Sequence, residues 1–135
     1  MRSTVADLRR HMFGADPAID GIVAEVGGDY AGMCLFFRSY STWYGRTGVY
    51  IQDIVVEERY RGRGIGDRLL QHAAAMTRAR GGTYMRLTVD TENHSAMRFY
   101  TRLGLAHSDT GQIHAAYDED FARLADAAGS DTEDR

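Results

Sequence analysis

Three glycines at alternate positions stand in the middle of the chain, where a charged turn passes into a helical pattern. They are Gly62, Gly64 and Gly66, and four arginines surround them: Arg59, Arg61, Arg63 and Arg68. Because glycine has no side chain, a ligand can approach the free N–H groups of a helix N-terminus closely at such a place. That end of a helix also carries partial positive charge, which the arginines reinforce. The stretch predicts an anion site that suits a phosphate, and a glycine-rich turn without a ligand is the alternative.

Two common phosphate-binding motifs do not fit this stretch. A P-loop requires a lysine after its last glycine, whereas every basic residue of this chain is an arginine. The dinucleotide-binding fingerprint requires Gly-x-Gly-x-x-Gly after the first strand of an α/β unit, whereas here Gly-x-Gly-x-Gly follows strands that should be antiparallel. If the stretch binds a phosphate, it therefore does so as part of another type of motif.

Two motifs together resemble the GNAT family of N-acetyltransferases. The run Val-x-x-x-Tyr-Arg-Gly-Arg-Gly-Ile-Gly at 56–66 looks like the motif with which that family binds the pyrophosphate of acetyl-CoA. The run Asn-x-x-Ala-x-x-Phe-Tyr-x-x-Leu-Gly at 93–104 looks like its second motif, at the expected separation. The resemblance covers roughly residues 22–124. Within the family, the segments 41–46 and 50–53 are most similar to the diamine (spermidine/spermine) and thialysine acetyltransferase branch.

The resemblance implies acetyl-CoA as the cofactor and gives its contacts. Backbone groups of Ile54, Val55 and Val56 would pair with the pantetheine arm, which in this family lies like an extra strand between two splayed parallel strands. The acetyl carbonyl would accept a hydrogen bond from a backbone N–H near Val55, where the family has a bulge. The other implied cofactor contacts are Arg61, Gly62, Arg63, Gly64, Ile65, Gly66, Asp67, Asn93, Ala96 and Arg102, of which Arg102 would reach an outer phosphate.

Tyr100 is the candidate general acid. It lies one helical turn beyond Ala96, so both residues face the same side of a helix. In the family that this chain resembles, a tyrosine at this position protonates the departing CoA thiolate. A phenol with a pKa near ~10 is a plausible donor to a thiolate. An aromatic core residue beside Phe99 is the alternative interpretation.

The amine side of the reaction is less well specified. In the diamine branch the position of Gln52 is usually a glutamate, and an amide cannot accept a proton at neutral pH. Asp53 then remains as a candidate to hold the amine, although it could equally pair with an arginine. Asp90 and Glu92, which end the neighbouring strand, are further candidates. Trp43 is a candidate to stack on the substrate, with packing as the alternative.

Apolar patterns predict the elements that position these residues. A helix begins near Thr4 and stops near Gly14, and strands follow at 22–26, 30–40 and 49–56 as an antiparallel meander. A helix over 64–80 and a strand over 84–89 complete a βαβ unit, so its strands should be parallel. Asn93 caps a helix over 95–103; a strand at 113–117 and a final helix end the pattern. The fold class is α/β with a mixed sheet.

Composition and charge are those of an ordinary globular domain. The 135 residues predict one domain, 1–135, in which 129–135 form a frayed acidic tail. A formal net charge of −3 argues against a nucleic-acid partner. No apolar run reaches the ~18 residues of a membrane span, and the N-terminus lacks a secretory segment, so we expect a cytoplasmic protein without membrane contact.

Cysteine and histidine usage predicts no metal site. Cys34 is the single cysteine, which excludes an intramolecular disulfide, and its apolar surroundings favour a buried core thiol over a nucleophile. The five histidines show no ligand spacing.

The resemblance implies direct acetyl transfer to a primary amine of a small molecule, such as a polyamine, thialysine or an amino-acid-like compound. Only about twenty residues precede the first predicted strand, whereas relatives carry more there, and a homodimer is expected to cover the sheet. A CoA-binding protein with weak or lost catalysis is one alternative, and an acetyltransferase for protein lysines or N-termini is another.

Overall fold

The structure is a computed structural model that describes Ala6, residues 12–15 and residues 17–129. Within that part of the chain, four strands form one sheet in the order β1-β2-β3-β4. The strands are β1 (Asp20–Val26), β2 (Asp29–Ser41), β3 (Arg46–Val56) and β4 (Met85–Leu87). The helices are α1 (Ile65–Ala79), α2 (His94–Arg102) and α3 (Asp118–Ala128), and Glu58–Tyr60 form a single 3₁₀ turn.

The first three strands form the predicted antiparallel meander, and β4 pairs with β3 in parallel. Gly27 and Gly28 make the β1–β2 turn with φ angles of 57° and 86°, which glycine adopts without strain. The α1 helix connects β3 to β4, as a parallel pair requires. The mixed α/β fold class and the βαβ unit are therefore confirmed.

A bulge interrupts β3 before its carboxyl end. Phe36 pairs with Ile51 and Leu35 pairs with Asp53, so Gln52 is an extra residue on β3. Because one extra residue reverses the alternation of side chains, Val49 and Ile51 face the core before the bulge, whereas Ile54 and Val56 pack against it after the bulge. The bulge was expected near Val55 and lies three residues earlier.

The core lies between α1 and the sheet. Leu69, Leu70 and Ala73 of α1 are buried against Cys34, Phe36, Val49 and Ile51. Cys34 is fully buried, as predicted. Burial, with the charge of Asp53 adding to it, raises the pKa of the Cys34 thiol to about 11. The thiol stays protonated at neutral pH and is a poor nucleophile.

Two predicted elements differ from the structure. The predicted strand at 113–117 is wrong, because residues 105–117 have no regular structure and Ile113 and Tyr117 are exposed. An alternating pattern forms a strand only where a neighbouring strand can pair with it. The β4 strand is also shorter than the predicted 84–89, because it diverges from β3 after Leu87. The predicted N-terminal helix lies mostly outside the described residues. Of its residues that the structure describes, Ala6, Met12 and Phe13 are helical.

Candidate active site

A groove opens where β3 and β4 separate. Their pairing stops at Ile51 and Leu87, but β3 continues to Val56, so the edge of its last residues faces the groove. The groove has a volume of about 830 Å³. Its walls are the end of β3, the N-terminus of α1 and one side of α2. The residues that line it are Ile54, Val55, Val56, Tyr60, Arg61, Gly62, Gly64, Ile65, Gly66, Asp67, Asn93, Ser95, Ala96, Phe99, Tyr100 and Arg102.

Backbone N–H groups on the β3 edge point into this groove. Glu57 donates its N–H to the carbonyl of Ala31 on β2, over 2.8 Å. Because N–H groups alternate in direction along a strand, Val55 also directs its N–H towards β2, whereas Ile54 and Val56 direct theirs into the groove. Val55 lines the groove but cannot donate its N–H there. The backbone N–H that could bind the acetyl carbonyl is therefore that of Ile54 rather than that of Val55.

The glycine-rich turn leaves open space at the N-terminus of α1. Gly62 and Gly64 have φ angles of 79° and 75°, and a Cβ at either position would meet no atom within 4 Å. Gly64 is the N-cap residue of α1, and no side chain caps the helix there. The first N–H groups of α1 therefore remain available to an anion in the groove.

Gly66 has a different function from its two neighbours. A Cβ on Gly66 would lie 3.1 Å from Phe99 Cζ and 3.8 Å from Val56 Cγ2. The missing side chain therefore allows α2 to pack closely on α1 and β3. Close packing accounts for this glycine, although it also lines the groove.

The arginines around the turn mostly hold the turn itself. Arg61 donates its Nε to the carbonyl of Val56 over 3.1 Å and lines the groove. Arg59 and Arg63 both lie over the ring of the buried Tyr60, with guanidinium carbons 4.7 and 5.4 Å from its centre. Arg63, which was predicted to contact the cofactor, is not among the residues that line the groove.

Asp67 and Arg102 form an ion pair across the mouth of the groove. The Arg102 guanidinium donates to the Asp67 carboxylate over 3.1 Å, and its carbon lies 5.5 Å from the centre of the Phe99 ring. Asp67 is in the first turn of α1, where a phosphate is expected. The arginine that was predicted to reach a phosphate is therefore already bound to a carboxylate.

Tyr100 lies in the groove on α2, together with Asn93 and Ala96. The Asn93 side chain accepts a hydrogen bond from the Ala96 N–H over 3.1 Å and so caps α2, as predicted. Burial raises the pKa of the half-buried Tyr100 phenol, and the nearby Cys34 and Asp53 side chains add to the rise. The phenol is therefore protonated at neutral pH and can donate a proton into the groove.

The residues predicted to bind the amine are only partly brought together. Gln52 and Asp53 meet at the bulge beside the groove, and among the described residues no arginine lies within ion-pair distance of Asp53. Asp90 instead shapes the turn before α2, because its carboxylate accepts the N–H of Glu92 over 2.9 Å. Trp43 is 87% exposed in the β2–β3 turn. Seven residues of β3 separate that turn from Asp53, a distance of roughly 20 Å.

Three groove residues, Tyr60, Ser95 and Phe99, were not predicted as site residues. Tyr60 belongs to the first motif, so its place in the motif was the available signal, and Ser95 follows the capping residue of α2 closely. Among the described residues, no three His, Cys, Asp or Glu side chains are grouped as a metal site would require. None of the described helices is long and apolar enough to cross a membrane.

Known proteins resemble this chain in sequence and in fold. The thialysine N-epsilon-acetyltransferase of Bos taurus is 38% identical over 105 residues, which are 72% of this chain and 61% of the relative. The spermidine/spermine N(1)-acetyltransferase-like protein 1 of Homo sapiens is 28% identical over 111 residues, which are 77% of this chain and 16% of the relative. An integron cassette protein from the mobile metagenome of V. cholerae superposes with a TM-score of 0.80 at 20% identity, covering 91% of this chain and 78% of that chain.

The names of the two relatives confirm the resemblance to the diamine and thialysine branch. The chain spans about three-fifths of the length of the Bos taurus relative. The family model for the Acetyltransferase (GNAT) family matches residues 2–105, which is most of the sequence. The chain therefore belongs to the GNAT acetyltransferase family.

Proposed function

We propose that the chain transfers the acetyl group of acetyl-CoA directly to a primary amine of a small molecule. The observation that carries this proposal is the content of one groove: an unpaired strand edge, an uncapped helix N-terminus and a protonated phenol. These three features match the three parts of an acyl thioester of CoA: an extended amide chain, a pyrophosphate and a leaving thiolate. The family uses acetyl-CoA as its acetyl donor, which supports the same donor here.

The residues of the groove suit the pantetheine arm and the pyrophosphate of CoA. The edge of β3 at Ile54 and Val56 would hydrogen-bond the amides of the pantetheine arm, as another strand would. The open space at Gly62 and Gly64 and the N–H groups of Ile65 to Asp67 would receive the pyrophosphate. When bound, acetyl-CoA supplies the acetyl group and a thiolate leaving group.

The chain's own groups can move the protons of the transfer. The N–H of Ile54 would donate to the acetyl carbonyl oxygen and stabilise negative charge on it. The Tyr100 hydroxyl would give its proton to the departing sulfur, and the neighbouring Asp53 would hold the attacking amine. Gln52 can orient that amine or a water but cannot accept its proton. The acceptor would then lose its proton to Asp53 or to water.

The acceptor class follows from the named relatives. Relatives named for thialysine and for spermidine/spermine support a small-molecule amine as the acceptor. The presence of Gln52 in place of the expected glutamate favours a second candidate, a CoA-binding protein with weak or lost catalysis.

Release of free CoA thiol from acetyl-CoA, measured with a panel of polyamines, thialysine, amino acids and aminoglycosides, tests the proposal. We expect amine-dependent thiol release with at least one small amine, and mass spectrometry should identify the acetylated product. Tight binding of CoA without turnover of any amine would favour the binding protein. Turnover of lysine-containing peptides alone would indicate a protein acetyltransferase.

A second copy of the chain is the partner that we propose. Phe121 and Leu124 of α3 are 61% and 69% exposed, and Ile113 and Tyr117, which precede the helix, are also exposed. Large apolar side chains exposed along one segment are unfavourable in water and favour an interface. A homodimer would cover them.

A further inference from the structure

Arg86 lies at the centre of β4, the strand that pairs with β3 up to the point where the groove opens. It pairs with Tyr50 of β3, and side chains at paired positions point to the same face of a sheet. Phe37 of β2 pairs with Tyr50 and stacks on it, with ring centres 5.1 Å apart. Met85 and Leu87, on either side of Arg86, pack against the core with α1. The row of Phe37, Tyr50 and Arg86 therefore lies on the face opposite α1, which we call the outer face.

Polar groups continue this row towards the bulge. Thr88 is two residues beyond Arg86, and its hydroxyl is hydrogen-bonded to that of Tyr50. Asp53 pairs with Leu35, two residues from Phe37, so it also belongs to the outer face. The outer face thus carries a guanidinium, two hydroxyls and a carboxylate in sequence, and it ends at the bulge where the groove begins.

Among the described residues, neither of the two charges on this strip has an ion-pair partner. Arg86 is exposed, and within the part of the chain that the structure describes no carboxylate lies within ion-pair distance of it. Two residues of β3, one of them the bulged Gln52, lie between Tyr50 and Asp53, which are therefore roughly 7–10 Å apart along the strand. Arg86 lies on the neighbouring strand, roughly 5 Å across the sheet from Tyr50. The strip therefore presents a positive group and a negative group at a separation that a small molecule can bridge.

A zwitterionic amino acid matches this arrangement better than a diamine does. An amino acid with an amine at the end of a lysine-length side chain is roughly 7 Å long when extended. With its amine at Asp53 its carboxylate would meet Arg86, and a guanidinium binds a carboxylate through two parallel hydrogen bonds. A diamine in the same position would bring a second ammonium group against the unpaired guanidinium, which is unfavourable.

We propose that Arg86 binds the carboxylate of the acceptor, so that the acceptor is an amino acid with a side-chain amine rather than a polyamine. The proposal rests on the proposed acetyltransferase function and narrows its substrate class. Arg86 is a specificity residue in this scheme and takes no part in proton transfer.

Two pairs of acceptors that differ only in the carboxylate test this proposal: L-thialysine with its decarboxylated diamine, and L-lysine with cadaverine. We expect wild-type kcat/KM to favour the amino acid of each pair. Arg86→Gln should lower kcat/KM for the amino acids by about tenfold, as loss of a charge-assisted contact does, and leave the diamines unchanged or improved. Arg86→Lys should retain part of the preference, because it keeps the charge. Arg78→Gln, which removes an exposed arginine from α1, is the matched control and should change neither class.

Equal losses for both members of each pair in Arg86→Gln, or a wild-type preference for the diamines, would overturn the role of Arg86 while leaving acetyl transfer intact. If no amine is acetylated, the proposed function fails, but calorimetric titration of the four compounds into the CoA complex still tests Arg86. Tighter binding of the amino acids that Arg86→Gln abolishes supports the proposal, and equal binding of all four compounds contradicts it.

Discussion

Tyr100 is the residue on which the proposed protonation of the leaving group depends. Tyr100→Phe removes only the hydroxyl and keeps the ring contact with Phe99, whose centre lies 5.2 Å away. We expect kcat to fall by ~10²–10⁴-fold, the usual contribution of general acid catalysis. CoA affinity, measured by calorimetry, should stay within about twofold, because the hydroxyl acts on the sulfur after binding.

A second tyrosine provides the control for this experiment. Tyr84 donates its hydroxyl to Ser39 over 2.9 Å and does not line the groove. Tyr84→Phe therefore removes a phenolic hydroxyl of equal chemistry away from the site and should retain normal turnover. Unchanged turnover in Tyr100→Phe as well would remove Tyr100 from the mechanism.

The raised pKa of Tyr100 determines the alkaline limb of the pH profile. A general acid must be protonated to act, so activity is lost as the pH rises through its pKa. Because burial, with the nearby Cys34 and Asp53 adding to it, raises that pKa above its usual ~10, activity should rise with pH as the amine loses its proton and should not decline below about pH 10. A decline centred below pH 9 that disappears in Tyr100→Phe would contradict this assignment.

The ion pair of Asp67 and Arg102 should regulate affinity for CoA. Arg102→Gln leaves the Asp67 carboxylate unpaired beside the expected phosphate, so CoA should bind several-fold more weakly, a modest effect because the pair is partly exposed. Asp67→Asn removes the negative charge and frees the guanidinium, so CoA should bind more tightly. The double variant should return close to wild-type affinity if Arg102 serves mainly to neutralise Asp67. A double variant as weak as Arg102→Gln would instead show that Arg102 contacts the phosphate itself.

The sequence could predict the site residues that lie within contiguous motifs and failed for those that depend on distant pairing. Asn93 and Tyr100 lie in the groove because one short helix carries both. The partner of Arg102 was not predictable, because Asp67 is 35 residues away and meets it only when α1 packs on α2. Trp43 was placed at the amine site from local similarity, but the length of β3 separates the two.

At the scale of an element, the glycine-rich turn should bind the phosphate through its shape. Asparagine tolerates a positive φ angle better than other side chains, so Gly64→Asn preserves the turn while it fills the open space above the helix. We expect CoA affinity to fall by more than about tenfold, since the side chain and the pyrophosphate would compete for the same volume. Affinity is measured by calorimetry and stability by thermal unfolding.

Gly27→Asn is the matched control for this substitution. Gly27 has a φ angle of 57° in the β1–β2 turn, and a Cβ there also meets no atom within 4 Å. The two variants should therefore lose similar stability, while only Gly64→Asn loses affinity. Equal CoA affinity in both variants would refute the phosphate site.

Some of these elements were predictable from the sequence alone. The meander strands and α1 follow from strong apolar periodicity and clear turns, and their bounds agree with prediction within a few residues. The bulge at Gln52 could not be located, because a bulge is a property of the register between β2 and β3. The predicted strand at 113–117 failed for a related reason, since among the described residues no strand lies beside it to pair with.

At the scale of the molecule, α3 is a helix that contains no buried residue in the described fold. Its apolar residues Phe121 and Leu124 lie on one side of the helix by helical spacing, and both are exposed, as is Tyr117 immediately before the helix. The amphipathic pattern was correctly predicted as a helix, but a pattern of this kind does not reveal whether its apolar side meets the same chain or another one.

The proposed dimer would cover this side of α3. Substitutions that disrupt the dimer should therefore change the measured mass of the protein in solution. Phe121→Glu combined with Leu124→Glu places two charges on the apolar side, where burial would require an unpaired charge to lose water. In sedimentation equilibrium we expect the wild-type chain at twice its sequence mass and the double variant at the monomer mass. Ala122→Glu adds a charge to the same helix about 100° away from Phe121 and should remain dimeric.

A monomeric wild-type chain would refute the dimer, and a double variant that remains dimeric would place the interface elsewhere. Because the groove is built from one chain, thiol release by the monomeric variant would further show that acetyl transfer needs no second copy.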